Sequence, residues 1–315
     1  MVYLNYIWLI LSFGIILGFI VINSERLKLN LVLNLYVFGK LRNLQEFSLT
    51  SHFLQVPKRW FWHFYCSGLF IHTALLTVMV YSVFVADKFP EEVSLFLGYI
   101  RIPASESELL PPAQILAVLL MGEVQMIRRL TECIFVNSYS ASTMSVVIYL
   151  TGVFFYCFQG ISIVCLMQEK TLTLSAIWSD LQWYNYLLIT MFLYFSYKQH
   201  ILNNILSSLR CNEQGAVVTD KHLIPEGDLF QHSSCPHFFM EILIYSVYCA
   251  MFWWRHTVCN SVGLFVLVNQ LLAGHLAHRW YQENFPNYPR ERTPVIPLVH
   301  YSRLAGVPPP KKKKC

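Results

Sequence analysis

Charge is what this sequence has least of. Only 13% of its 315 residues are Asp, Glu, Lys or Arg, 55% are hydrophobic, and the mean hydropathy is +0.45. A chain so poor in charge cannot cover the surface of an ordinary soluble domain of this length, which leaves a multi-pass membrane protein. The sequence also has no G-x-G-x-x-G, no P-loop and no βαβ alternation, so no Rossmann or Walker unit can hold a dinucleotide. The nine cysteines are scattered without a C-x-x-C, which excludes a disulfide framework and a zinc ribbon. His275 and His278 are three residues apart, but no HExxH or carboxylate ligand accompanies them, so no metal is expected.

What is present is a series of long apolar runs. Crossing the hydrocarbon core takes roughly 20 apolar residues as a helix, and spans are expected near residues 4–22, 66–86, 112–127, 144–167, 181–197, 238–254 and 258–277. The predicted fold class is therefore all-α, a polytopic integral membrane protein of about seven transmembrane helices. The first run lacks a small-residue cleavage pattern and reads as a retained signal anchor. Lys and Arg favour cytoplasmic loops. If the spans alternate from a lumenal N-terminus, 19 of the 23 basic residues fall on the cytosolic side, and the loop 87–110, with Asp87, Glu91, Glu92, Glu106 and Glu108, falls on the lumenal side. The C-terminus is then cytosolic.

Four polar clusters lie on that cytosolic face. "VPKRWFWHFY", residues 56–65, brings Lys58, Arg59, His63 and Tyr65 to the start of the second span; it reads equally as a basic, aromatic interface belt. "EVQMIRRLTEC", residues 123–133, ends the third span on Arg128 and Arg129, with Glu132 at pairing distance from both by helical spacing. Glu123 and Gln125 lie deeper, where an ionisable group inside a span suggests function. In "YKQHILNNILSSLR", residues 197–210, Gln199, Asn203 and Arg210 share one helix face, which suits either a ligand or plain contact with cytosol. Pro225 and Gly227 mark a turn before the next span, and Glu241 enters that span needing a partner. The fourth cluster joins Asn269 and Gln270 in the last span to "HRWYQENFPNYPRERTPVIP", residues 278–297, which is rich in arginines of the kind that grip phosphate in a bidentate fork.

The blocks together resemble the steroid 5α-reductase family, most closely its polyprenol reductase branch, from about residue 54 to 299. The C-terminal pattern carries the resemblance: His278, Trp280, Tyr281, Phe285, Tyr288, Pro289, Arg290, Arg292 and Ile296-Pro297. "VPKRWFWHFY", "RRLTEC" and "NQLLAGHLAHRWY" point to the branch. The resemblance implies a seven-helix membrane fold in which NADPH is held among the helices and enters from the cytosol. Carried over by position, the cofactor set is Arg129, Gln199, Asn203, Arg210, His237, Glu241, Asn269, His278, Tyr281, Tyr288 and Arg292. Two positions depart from the pattern: His237 stands where the branch has Asn, and Gln125 where it has His. The tyrosine and glutamate that grip the ketone in steroid-reducing members are not evident.

The implied reaction is hydride transfer from NADPH to the β-carbon of an activated C=C bond of a long polyisoprenoid, followed by protonation at the α-carbon, on the way to dolichol and N-glycosylation. An isolated allylic alcohol has no carbonyl to take the developing charge, so polyprenal is the easier substrate. The enolate-like transition state needs a donor at oxygen, and His63, Tyr65 and Gln125 are the candidates. The expected organisation is an N-terminal helix and connector over 1–53, a reductase membrane domain over 54–299 with its NADPH-binding half at about 181–299, and a basic tail over 300–315. The segment "NFPNYPRERTPVIP" is expected to fold back and close the pocket. Lys312 and Lys313 resemble a di-lysine retrieval signal for the endoplasmic reticulum; a basic tail drawn to anionic lipid is the alternative. No nucleic acid is implied.

Overall fold

A computed structural model of the chain describes residues 3–23, 55–82, 85, 89–101, 109–137, 143–168, 179–210, 219 and 222–299. The connector after the first helix, parts of the acidic loop after the second span, including Asp87, Glu106 and Glu108, and the basic tail with its lysines lie outside the described residues. The helices are α1 (Tyr3–Asn23), α2 (Trp62–Tyr81), α3 (Glu91–Arg101), α4 (Pro112–Thr131), α5 (Val146–Val164), α6 (Trp183–Ser208), α7 (Pro236–Met251) and α8 (Thr257–Asn284). Their order fits a bundle in which α2 packs between α4 and α5, α7 between α6 and α8, and α1 against α8.

Seven of the described helices fall on the seven expected spans. Four stretches are long and apolar enough to cross a membrane by length and composition: Tyr3–Val21, Lys58–Tyr81, Val146–Val164 and Thr257–Asn284. The others are interrupted or short: α4 carries Glu123, Arg128 and Arg129, α6 ends in a polar turn and a half, and α7 has 16 residues. The helices also overrun the apolar windows. α6 continues past residue 197 to Ser208 and α8 past 277 to Asn284. Hydropathy marks where lipid ends, whereas a helix ends only where its backbone bonding does.

Two elements were not expected. α3 occupies part of the loop read as lumenal, where Leu97 is buried while Leu95 and Tyr99 are exposed. A short antiparallel ladder pairs β1 (Gln55–Pro57) with β2 (Thr143–Ser145), Val56 opposite Met144, and ties the start of α2 to the start of α5. Ser145 then caps α5, its side chain accepting from the Ile148 amide at 3.2 Å.

Polar side chains pin the apolar helices in register. Asn5 of α1 donates to Thr257 at 3.2 Å and accepts from Ser261 at 3.2 Å, and Trp8 donates to Ser162 of α5 at 3.0 Å. In hydrocarbon such bonds replace the hydrophobic effect as a source of helix specificity. His72 of α2 is wholly buried where α2, α4 and α5 meet. Its seat exists because Gly122 and Gly160 lack side chains: a Cβ at either would stand 2.6 Å from His72 Cε1 or 2.8 Å from Cδ2.

Candidate functional site

The C-terminal end of α4 is where the charge collects. Its final turn carries Arg128 and Arg129, and the helix widens into one π turn, Glu132–Val136, that leaves Glu132 only 1% exposed. Both arginines donate to Glu132, one to each carboxylate oxygen. α6 adds His200, whose Nδ1 lies 2.8 Å from Glu132, and Asn203, which donates to it at 2.9 Å. Burial alone would push the Glu132 carboxyl upward, but Arg129 and Arg128 outweigh it and hold the group below the usual carboxylate range.

The network then crosses to α7. Gln199 donates to Glu241, and also to the His237 carbonyl at 3.3 Å; its own oxygen accepts from Gln125 at 3.1 Å and from Arg128. Gln125 Oε1 accepts from Arg128 at 3.1 Å and from Ser196 at 3.0 Å. On the α2 side, Arg129 donates to the Tyr65 hydroxyl through Nε at 3.2 Å and Nη2 at 2.9 Å. Tyr65 is packed edge-on against Tyr156 of α5. Four helices thus deliver one connected set of amides, guanidinia and carboxylates.

A second group sits on the other side of the α7 N-terminus. Beyond α8 the chain turns back, and residues 293–295 run beside 232–235: Ser234 N donates to Thr293 O at 2.8 Å, Cys235 N to Pro294 O at 3.1 Å, and Thr293 N to His232 O at 2.9 Å. Val295 is fully buried against α8, where its Cγ2 lies 2.0 Å from where a Cβ on Gly274 would be. This fold-back sets Tyr288 in a stack on Tyr281, with ring centroids 5.2 Å apart and planes 8° from parallel. Ser234 Oγ lies 2.6 Å from both His278 Nδ1 and the Tyr288 hydroxyl, and Gln282 Nε2 lies 2.8 Å from His278 Nε2. Burial raises the Tyr288 phenol above its ordinary value, so it stays protonated at neutral pH.

Arg292 closes this group. It is 5% exposed, its Nη1 donates to the Pro225 carbonyl at 2.9 Å, and its Cζ stands 5.3 Å over the Tyr288 ring. Among the described residues its buried Nε has no hydrogen-bond partner, and neither does Arg128 Nε. Two covered guanidinia with donors to spare, beside a stacked pair of aromatic rings and several amides, fit a ligand that combines phosphates with flat rings. A dinucleotide has that chemistry.

The expected residues divide as follows. Tyr65, Gln125, Arg129, Gln199, Asn203 and Glu241 meet in the first group, and His278, Tyr281, Tyr288 and Arg292 in the second. His237 touches the first group through its carbonyl, its ring lying beside Phe238. Arg210 follows the end of α6, 3.1 Å from His222 and close enough to act on Tyr281. Asn269 is exposed partway along α8 and joins neither group. His63 is also apart. It lines an open apolar groove of about 430 Å³ with Trp62, Cys66 and Phe70, its Nδ1 2.8 Å from the Tyr149 hydroxyl. Ser196, His200, Ser234 and Gln282 belong to the two groups although sequence reasoning passed over them. The spacing i, i+3, i+7 of Ser196, Gln199 and Asn203 was the available signal. Ser234 had none, because its partner residues are 44 and 54 positions away.

A helical chain with membrane-crossing segments and a buried polar site at one end defines an integral membrane protein with a polar cluster among its helices. Comparison with known proteins makes this specific. The family profile described as 3-oxo-5-alpha-steroid 4-dehydrogenase matches residues 142–300. The polyprenal reductase of Xenopus tropicalis is 31% identical over 264 residues, 83% of this chain and 86% of that protein. Those of Danio rerio and Caenorhabditis elegans are 32% and 31% identical, covering 78% and 84% of this chain and 79% and 86% of theirs. The chain belongs to the steroid 5α-reductase family, in its polyprenal reductase branch, and is an oxidoreductase acting on a carbon–carbon double bond.

Proposed function

We propose that the chain is an NADPH-dependent reductase of the α-isoprene double bond of polyprenal. It reaches polyprenol through the aldehyde and supplies dolichol for N-glycosylation. The observation that carries this reading is the convergence of Tyr65, Arg129, Gln199 and Glu241 from four helices next to the Tyr281–Tyr288–Arg292 group.

Arg292 and Arg128, with unused donors, hold the phosphates; Tyr281 and Tyr288 provide a flat wall; Gln199, Asn203 and Glu241 orient the remaining polar edge. Arg210 adds a further cation at the margin of the set, whereas Asn269, exposed partway along α8, lies outside it. Bound there, NADPH supplies the hydride for the β-carbon. Tyr65 polarises the carbonyl. Its oxygen accepts two Arg129 donors and its hydroxyl also hydrogen-bonds that of Tyr156; when substrate binds, the phenolic hydrogen turns to the developing enolate oxygen, a contribution of roughly 3–4 kcal/mol when preorganised. Gln125 serves as a second amide near that point, and His63, on the far side of α2, stands at the lipid-facing approach.

The setting we propose is the endoplasmic reticulum membrane, with seven crossings and the site opening to the cytosol, so that the isoprenoid tail stays in lipid while the head group enters. Purified enzyme assayed with NADPH and with NADH against polyprenal, a 3-oxo-4-ene steroid and a trans-2-enoyl thioester tests the reading. Turnover of polyprenal with NADPH is expected; turnover of the steroid or the thioester alone overturns it.

A further inference from the structure

The turn between α7 and α8 is built at a conformational cost. Trp253 and Trp254 take φ of +51° and +59°, a left-handed pair that L residues with bulky side chains avoid and that glycine or asparagine would adopt freely. Each such residue stores conformational strain that its surroundings must hold in place. Both flanks hold the turn in place: Phe252 is buried with its ring 4.9 Å from His256, His256 bonds the Ile163 carbonyl at 2.9 Å, and Asn260 donates to the Trp254 carbonyl. The effect is to push both indoles outward, to 62% and 57% exposure. Trp253 meets Tyr184 of α6 at 4.9 Å, and Trp183 beside it is the most exposed tryptophan described, at 76%. Arg255 follows directly, also exposed.

We infer that Trp183, Tyr184, Trp253 and Trp254 form an anchor that seats in the headgroup region of the leaflet opposite the polar site. Three exposed indoles have no place in water, but an amphipathic ring beside a cation suits the boundary between acyl chains and headgroups. The dimensions agree. Along α6, Trp183 and Asn203 are twenty residues apart, about 30 Å of helix. Along α8, Thr257 and His278 are twenty-one residues apart, about 32 Å. Both match a hydrocarbon core of about 30 Å. With the anchor at one interface, Glu132, Asn203 and His278 lie at the other, where a water-soluble ligand can reach them. The strained turn thereby sets the height of the binding site in the bilayer.

The test reconstitutes the full chain in phosphatidylcholine vesicles brominated at a shallow or a deep acyl position, and compares wild type with Trp253→Phe/Trp254→Phe and with Trp183→Phe, which leaves the turn untouched. The emission lost in each variant is expected to be the part quenched at least about two-fold better by shallow than by deep bromines, and poorly by aqueous iodide. Loss of an iodide-quenched component, or of one quenched best by deep bromines, overturns the proposal. Tryptophan quenching is independent of turnover, so the outcome stands apart from any assay of reductase activity.

Discussion

Tyr65 and Arg129 come from helices 64 residues apart in sequence and meet through two hydrogen bonds, both donated by the guanidinium to one phenolic oxygen. The same arginine is held from behind by Glu132, so the phenol is oriented by a partner that cannot rotate away. Tyr65→Phe removes the hydroxyl and keeps the ring packing on Tyr156. It is expected to lower kcat by about 10²-fold while leaving NADPH binding unchanged, as loss of a transition-state donor should. Single-turnover kinetics beside a cofactor titration separates the two effects. An equal fall in cofactor affinity would assign Tyr65 to the ligand site instead.

Glu132 neutralises two arginines at once, and removing one member of a buried ion cluster leaves uncompensated charge. Glu132→Gln is expected to destabilise the protein by about 3–5 kcal/mol, read as a fall in thermal midpoint in detergent.

The same carboxylate gives a signed pH dependence. Its folded pKa lies below the usual value of about 4.3, so its stabilisation is fully present above that value and is lost as pH falls through the folded pKa. Its share of the thermal midpoint should therefore be flat from pH 7 to about 4.3 and decline below, and Glu132→Gln should abolish that decline.

Arg292 tests the phosphate reading. Arg292→Ala is expected to weaken NADPH about 30-fold, and Arg292→Lys to recover little, since a single ammonium cannot reproduce a fork that bonds Pro225 O on one side and a ligand on the other. Calorimetric titration with NADPH gives the numbers directly.

Gly274 and Val295 form a closer contact than any side chain on α8 would permit. Gly274→Ala would bring a Cβ to 2.0 Å from Val295 Cγ2 and should lift the C-terminal segment from α8, weakening NADPH binding with little effect on the remaining helices. Val295→Ala in the same chain is expected to restore part of the affinity. If the double variant binds no better than Gly274→Ala, the segment does not close the site.

Much of this was legible in one dimension. Arg128, Arg129 and Glu132 could be paired from helical spacing because a helix makes i, i+3 and i+4 neighbours whatever surrounds it. Arg292 and Tyr288 were expected from the C-terminal motif that carries the family resemblance, and the structure places them in one group. His63 and Tyr65 looked equivalent in the sequence, two residues apart in the same basic and aromatic stretch. A two-residue step on a helix is a turn of about 200°, so they face opposite ways, and the choice between them depends on where α4 packs. Ser234 was invisible because it holds His278 and Tyr288, partners reached only after the chain has folded back, whereas Gln282 lies one helical turn from His278 and its i, i+4 spacing was available in the sequence.

Composition and local pattern are enough to make the chain helical and suited to a membrane, because apolar runs and basic asymmetry act locally and additively along the chain. They also determine which blocks carry polar chemistry. The tertiary structure alone decided that these blocks become two adjoining groups around the α7 N-terminus, since hydrogen bonds between helices depend on crossing geometry and on small gaps such as Gly122, Gly160 and Gly274. It likewise decided that the tryptophans of the α7–α8 turn point outward: the packing of Phe252 on His256 and the Asn260 bond to the Trp254 carbonyl hold two left-handed residues that no local sequence signal marks.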